Sequence, residues 1–382
     1  MQSKRSPDLL TELLTDIHAR PQRLVLEFAG AGAQALAWLH GVGGSSRTVL
    51  EATDRYAPAS LAEAIGYQPA RATAPEVAEA LARRAFSRAG ALADGPLIGV
   101  GCTATIATDR TKRGEHRCFV AVCDRLGVQS YRLYLRKGRR SREEEEELVS
   151  WLILQAIADG CGLTGLPPLP LLESETVQTT FAPVELLAQF RDEAIPWLAI
   201  GPDGRLSSAE TWPDCVILSG SFNPLHQGHR QMAQAVGQMV GRAVFFELPL
   251  FNADKAPIDL LEARRRAAQF AGTATLIYTR ERLFTEKAKL FPNSIFILGI
   301  DTAERLLQLR FYHHDPAELE AALTALQAHG CRFYVAGREQ AGRFLTLSDL
   351  AIPAPHRDLF VEIPPERFRF DISSTQLRQA GR

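Results

Sequence analysis

Residues 215–230, Cys-Val-Ile-Leu-Ser-Gly-Ser-Phe-Asn-Pro-Leu-His-Gln-Gly-His-Arg, constrain the fold more than any other stretch of the chain. The apolar run Cys215 to Leu218, closed by Ser219-Gly220, predicts a buried parallel strand. Asn223-Pro224 marks a turn. Met232, Ala235, Val236 and Met239 recur at spacings of three and four, which predicts a helix from about Gly228. Strand, small-residue turn and helix together place backbone N–H groups and a helix N-terminus at the carboxyl end of a strand, where phosphates bind in open α/β sheets. His226 and His229 stand at i and i+3, so a helix starting near His226 puts both rings on one face of its first turn. Gly228 beside them lets a ligand come close to the backbone. Two imidazoles so placed can donate hydrogen bonds to a phosphate and stabilise charge that develops there. Zinc fits poorly, because paired metalloprotease histidines stand at i and i+4 with a Glu between them. No metal site is expected.

The rest of the second half alternates strands with helical stretches. Ala243–Leu248, Thr275–Tyr278, Ser294–Gly299 and Cys331–Ala336 read as strands, which predicts a Rossmann-like, doubly wound parallel sheet. Loops at its carboxyl edge carry Asn223, Lys255, Asp301 and Arg338, and these are expected to share one ligand cleft. Asp301 also reads as a helix N-cap with Glu304 three residues on, a capping-box arrangement. Near the end, Asp371-Ile372-Ser373-Ser374-Thr375-Gln376-Leu377-Arg378 offers hydroxyls, helix-terminal N–H groups and a guanidinium, all suited to an anion.

The first half reads as a separate α/β unit. Leu9, Leu10, Leu13, Leu14 and Ile17 form a helical stripe that must pack on something. Leu24–Phe28 is a strand leading through Gly30-Ala31-Gly32 into a helix past Trp38. Val42 to Ser46 is a small-residue loop before a second strand near Val49. Pro75–Ala89 is a helix, Leu97–Val100 a strand with Gly101 to Thr105 as its loop, and Cys118–Cys123 with Val128–Leu135 a hairpin. The basic group Arg136, Lys137, Arg139, Arg140 and Arg142 reads as a solvated turn. The acids Glu143 to Glu147 after it complement the dipole of the next helix. Residues 166–213 are dense in proline and predict a linker with one short helix near Val184–Phe190. The expected division is a domain over 1–165, a linker over 166–213 and a second domain over 214–382.

Among 382 residues, 43 basic side chains stand against 44 acidic ones, a net charge of -1. Such a balance gives no global electrostatic case for nucleic acid or an anionic membrane, so any phosphate recognition must be local. The six cysteines form no Cys-x-x-Cys pair and read as thiols of a reducing compartment. The N-terminus lacks the apolar segment of a signal peptide. No apolar run approaches the roughly 18 residues of a membrane span. A cytoplasmic protein without membrane contact is expected, and a homo-oligomer is left open.

Gly220-Ser221-Phe222-Asn223-Pro224-Leu225-His226-Gln227-Gly228-His229 resembles the signature of the nucleotidylyltransferase superfamily. Ile372-Ser373-Ser374-Thr375-Gln376-Leu377-Arg378 resembles that superfamily's second turn, which holds the β- and γ-phosphates of ATP. The resemblance implies that His226 and His229 are catalytic. It also implies nucleotide binding by Gly220, Ser221, Phe222, Asn223, Gly228, Lys255, Gly299, Asp301, Arg338, Ser373, Ser374, Thr375 and Arg378. Lys287-Ala288-Lys289-Leu290-Phe291-Pro292 followed by Phe296 to Asp301 looks most like the nicotinate or nicotinamide mononucleotide adenylyltransferases. ATP with Mg²⁺ and a mononucleotide are then the implied substrates. The alternatives are cytidylyl or adenylyl transfer to another phosphorylated acceptor, and a non-catalytic nucleotide sensor or scaffold. Lys255 and Lys287 read more simply as solvated loop lysines.

The order of elements over about residues 20–160 is similar to the C-terminal domain of the competence-damage (CinA) protein family. The resemblance rests on Gly43-Gly44-Ser45-Ser46, Tyr56, Val100-Gly101-Cys102-Thr103 and Gly138-Arg139-Arg140. Active members deamidate nicotinamide mononucleotide with a serine in a Glu-Ser-Cys-Thr-Gly-Gly turn. Here that turn reads Glu27-Phe28-Ala29-Gly30-Ala31-Gly32, and a phenylalanine has no hydroxyl with which to attack an amide. The sequence offers no evident base beside Ser45 or Ser46. A degenerate domain with a binding or structural role is expected.

Overall fold

The computed structural model describes residues 7–109, 114–251, 257–340 and 343–369. It divides into two units that are not consecutive in the chain. The first comprises Met1–Ala188, Pro202–Arg205 and Leu260–Thr273; the second comprises Gln189–Gly201, Leu206–Asp259 and Ala274–Arg382. The boundary expected at a linker over 166–213 is thereby corrected, because that stretch supplies strands to both sheets.

The first unit holds a six-stranded sheet. Its strands are β1 (Arg23–Ala29), β2 (Val49–Asp54), β3 (Leu97–Thr105), β4 (His116–Cys123), β5 (Gly127–Leu135) and β6 (Val177–Pro183), in the order β2-β1-β3-β4-β5-β6. β2, β1 and β3 run parallel, and β3 to β6 are antiparallel neighbours. The expected loop at Gly101 to Thr105 is instead the second half of β3. Glycine serves close approach there: a Cβ on Gly99 or Gly101 would stand 2.1–2.2 Å from backbone atoms of Phe86, Ala82 or Ala78. The helix Pro75–Leu92 therefore lies directly on β3.

The helix Arg142–Gly160 buries Leu148, Trp151 and Leu152 in one cluster with Leu24, Leu26 and Val100. It starts in a capping box, with the Ser141 hydroxyl accepting from the Glu144 N–H and the Glu144 carboxylate accepting from the Ser141 N–H. Arg140, expected to be solvated, is buried instead. It makes a bidentate pair with Glu175 at 2.7 and 2.8 Å and donates to the Pro170 carbonyl. Leu260–Thr273 belongs to this unit through the helix Leu260–Ala268. Arg264, 2% exposed, pairs with Asp124 at 2.8 Å. Arg265 pairs with Asp159 at 2.7 Å. Burial alone raises the Asp159 carboxyl, but bonds donated by Tyr131, Arg265 and Gln129 hold it below its ordinary range.

The second unit is built on an eight-stranded sheet. Its strands are β7 (Trp197–Ile200), β8 (Leu206–Ser207), β9 (Val216–Ser219), β10 (Phe245–Pro249), β11 (Leu276–Thr279), β12 (Ile295–Gly299), β13 (Arg332–Ala336) and β16 (Phe360–Ile363). Between the last two lies a separate hairpin of β14 (Arg338–Gln340) and β15 (Arg343–Leu345). The six strands β11-β10-β9-β12-β13-β16 are all parallel. Numbered along the chain they follow the order 3-2-1-4-5-6 of the doubly wound fold, so the order of strands reverses between β9 and β12. β7 and β8 add antiparallel strands outside β11. They lie in the stretch expected as linker; all four residues of β7 are buried, and Trp197 stacks on Trp212 at 5.2 Å. Among the described residues no helix is long and apolar enough to cross a membrane.

Candidate functional site

The signature turn leaves the sheet at the end of β9, beside the reversal of strand order, where ligands of doubly wound sheets bind. Gly220 begins it, and a Cβ there would stand 2.7 Å from the Phe222 ring. The small residue makes room for that ring. Phe222 holds a φ of 45°, in the left-handed region, and is 1% exposed. Its ring meets His229 edge-on at 5.1 Å and Phe246 at 5.5 Å. The side chain thus supports the turn from beneath. Asn223-Pro224 is a cis peptide.

His226 is the N-cap of the helix Gln227–Val240, so the helix starts where the histidine spacing requires. Gly228 is buried in its first turn. The His226 and His229 rings stack with centroids 3.7 Å apart. The His226 backbone N–H donates to His229 Nδ1 at 3.3 Å, which leaves the His229 proton on Nε2 as a donor. Burial lowers the His226 imidazole, and burial plus repulsion from His226 lowers His229 to about 3. Both rings are therefore neutral at pH 7.

Gly299 ends β12 and is the N-cap of the helix Ile300–Leu306; a Cβ there would meet nothing within 4 Å. Asp301 falls in that helix's first turn, and its expected role as a capping-box N-cap is corrected, because Gly299 holds the position without a side-chain cap. Arg338 follows the end of β13 and pairs with Asp301. The two are 40% and 46% exposed, so solvent screens the pair and a ligand can reach either partner. Ser221 and Asn223 lie partly buried in the signature turn. The carboxyl edges of β9, β12 and β13 thus gather the histidines, Gly299, Asp301 and Arg338 on one side of the sheet. Lys255, Ser373, Ser374, Thr375 and Arg378 lie outside the described residues.

Lys287, expected as a solvated loop lysine, is buried on the helix Phe284–Leu290 and pairs with Glu247 at 2.8 Å. Sequence reasoning passed over Glu247, although an acid inside Phe245-Phe246-Glu247-Leu248 was its signal: a carboxylate in a buried strand needs partners.

In the first unit, the turn after β1 runs into the helix Ala33–Gly41, and the Glu146 carboxylate accepts from the N–H groups of Gly32 at 2.8 Å and Gln34 at 3.2 Å. A side chain of this unit therefore holds the place an anion takes at such a helix N-terminus. Ser45 does have a base beside it, contrary to expectation: His40 Nδ1 stands 2.7 Å from its hydroxyl, on an exposed ring. Among the described residues no group of three or more His, Cys, Asp or Glu is placed to hold a metal.

Among solved structures the chain is similar, over its N-terminal part, to the competence/damage inducible protein CihA from Agrobacterium tumefaciens (18% identity, 39% of this chain and 90% of that one, TM-score 0.32). It is likewise similar to a competence-damaged protein (CinA) superfamily protein from Escherichia coli (14% identity, 41% and 94%, TM-score 0.31). Another CinA superfamily protein, from Klebsiella pneumoniae, gives 16% identity, 40% and 92%, and a TM-score of 0.29. No curated protein matches the chain. The family model described as cytidylyltransferase-like matches residues 217–380, from within β9 through the histidine turn and the Asp301–Arg338 pair, so this region of the chain is similar to that family.

Proposed function

We propose that the second unit transfers an adenylyl group from ATP to the phosphate of nicotinamide or nicotinate mononucleotide and releases pyrophosphate. The observation that carries this reading is the stacked His226–His229 pair at a helix N-terminus beside the reversal of strand order, inside the cytidylyltransferase-like region. An acceptor phosphate oxygen attacks the α-phosphorus in line, the new P–O bond forms as the bond to the bridging oxygen breaks, and pyrophosphate departs with its electrons. Positioning and charge stabilisation suffice, and no covalent enzyme intermediate is needed. His229 Nε2–H donates to a phosphate oxygen as charge builds. The exposed Asp301–Arg338 pair offers a guanidinium for a phosphate and a carboxylate for a sugar hydroxyl. Ser373, Ser374, Thr375 and Arg378 are assigned to the β- and γ-phosphates by their resemblance to the superfamily's second turn. ATP arrives as its Mg²⁺ complex, since Mg²⁺ keeps much of its water and rides on phosphates. The acceptor assignment rests on the resemblance of Lys287 to Asp301 to the mononucleotide adenylyltransferases. We assign the protein to the cytoplasm, without nucleic acid or membrane as partner.

The cytidylyltransferase-like description also favours a second reading, CTP with a phosphorylated alcohol as acceptor. Pyrophosphate release, measured with ATP or CTP against a panel of mononucleotides and phosphorylated alcohols, decides between them. Selective turnover of ATP with a pyridine mononucleotide is expected, with His229→Ala lowering kcat at least about a hundredfold. Turnover confined to CTP establishes the second reading, and triphosphate binding without turnover overturns both.

A further inference from the structure

A buried ion pair directly behind the histidine turn has no part in the reaction just proposed. Glu247, inside β10, is fully buried, and Lys287 is 3% exposed. Desolvating two charges costs more than their attraction regains unless the remaining donors and acceptors are also filled. Here they are filled from two sides. The Ser219 hydroxyl at the end of β9 donates to one Glu247 oxygen at 2.5 Å, and the Thr279 hydroxyl at the end of β11 donates to the other. One carboxylate in the middle of β10 thus ties together the ends of β9 and β11 and the helix that carries Lys287.

The tie continues through the backbone. The Glu247 carbonyl accepts from the Gly220 N–H at 2.9 Å, so Glu247 holds consecutive residues at the point where β9 gives way to the turn, Ser219 by its side chain and Gly220 by its main chain. Gly220 lies under the Phe222 ring, and that ring meets His229. A contiguous series of contacts therefore runs from Glu247 through Gly220 and Phe222 to the histidine pair. The Lys287 ammonium is committed to the carboxylate and is not aimed at a ligand.

We infer that Glu247, charge-balanced by Lys287, is a positioning residue for the histidine turn: it fixes Ser219 and Gly220 so that the turn leaves the sheet in one direction and seats His229. The kinetic consequence rests on the proposed transfer reaction; the structural one does not. Removing either charge leaves its partner buried and alone, so Glu247→Ala and Lys287→Met test folding before they test position.

Two hydroxyl deletions separate the roles. Ser219→Ala removes the bond on the side of the turn, and Thr279→Val removes an equally direct bond to the same carboxylate from a strand that does not lead into it. Histidine-selective NMR of the full-length chain reads ring positions, and pyrophosphate release reads turnover. Ser219→Ala is expected to shift the His226 and His229 resonances and to lower kcat about tenfold or more, with KM for ATP changing less. Thr279→Val is expected to leave those resonances in place. Unshifted histidines in Ser219→Ala overturn the inference, as do equal shifts in both variants, which would make the network a general support of the sheet. Should the unmodified chain turn over no substrate, the transfer reaction fails while the resonances still decide the positioning role.

Discussion

His229 is held neutral by its surroundings, and that has a measurable cost. Its imidazole lies at about 3 in the folded chain, lowered by burial and by the neighbouring His226, against roughly 6.5 for an unfolded histidine. Between those values the unfolded chain binds a proton that the folded chain refuses, so stability rises with pH across that window. It is fully present above about 6.5 and is lost as the pH falls toward 3, by at most about 1.4 kcal/mol per pH unit from this one ring. His229→Gln is expected to flatten the fall of melting temperature between pH 6.5 and 4.5, measured calorimetrically against the unmodified protein. Superimposable pH profiles would mean that the folded ring titrates normally.

At the scale of elements, the packing of the helix Pro75–Leu92 on β3 depends on two missing side chains. Gly101→Val would put a Cβ about 2.2 Å from the Ala78 carbonyl oxygen, and forcing the helix off the strand is expected to cost about 3 kcal/mol. The loss should appear as a lower melting temperature, with an unchanged value showing that the helix slides at no cost. The same glycine explains one misreading: from sequence alone Gly101 looks like the start of a loop, because the chain does not announce which helix will press on it. Elements defined by their own composition were legible. The apolar runs of β1, β9, β12 and β13, the hairpin of β4 and β5, and the helix opening at His226 all follow from local periodicity. Elements defined by distant partners were not. β7 is four residues among prolines and is a strand because β11 offers it an edge. Arg140 and Lys287 resemble solvated cations until Glu175 and Glu247 are brought to them. In the candidate site, the turn and its two histidines were readable, whereas the carboxylate anchoring the turn was hidden in a strand.

At the scale of the whole molecule, the segments of the two units alternate along the chain. Unit two takes its outer strands β7 and β8 from residues before the signature, and unit one takes Leu260–Thr273 from between β10 and β11. A fragment starting at residue 214 therefore lacks β7 and β8, turning β11 into a bare edge. It also carries Arg264 and Arg265 without Asp124 and Asp159. Expression of that fragment is expected to give aggregated material, and a monomeric, cooperatively melting product would show that neither loan is needed.

The loan of Leu260–Thr273 also sets an order of events during synthesis. Chains ordinarily let an N-terminal domain close while the next is still being made. Here the leading unit must wait for residue 273 to clear the ribosome, by which time β7 to β10 are already outside it. The nascent protein thus holds a first sheet still missing one covering helix beside a second sheet with only half of its strands, so chaperone demand should peak late in translation.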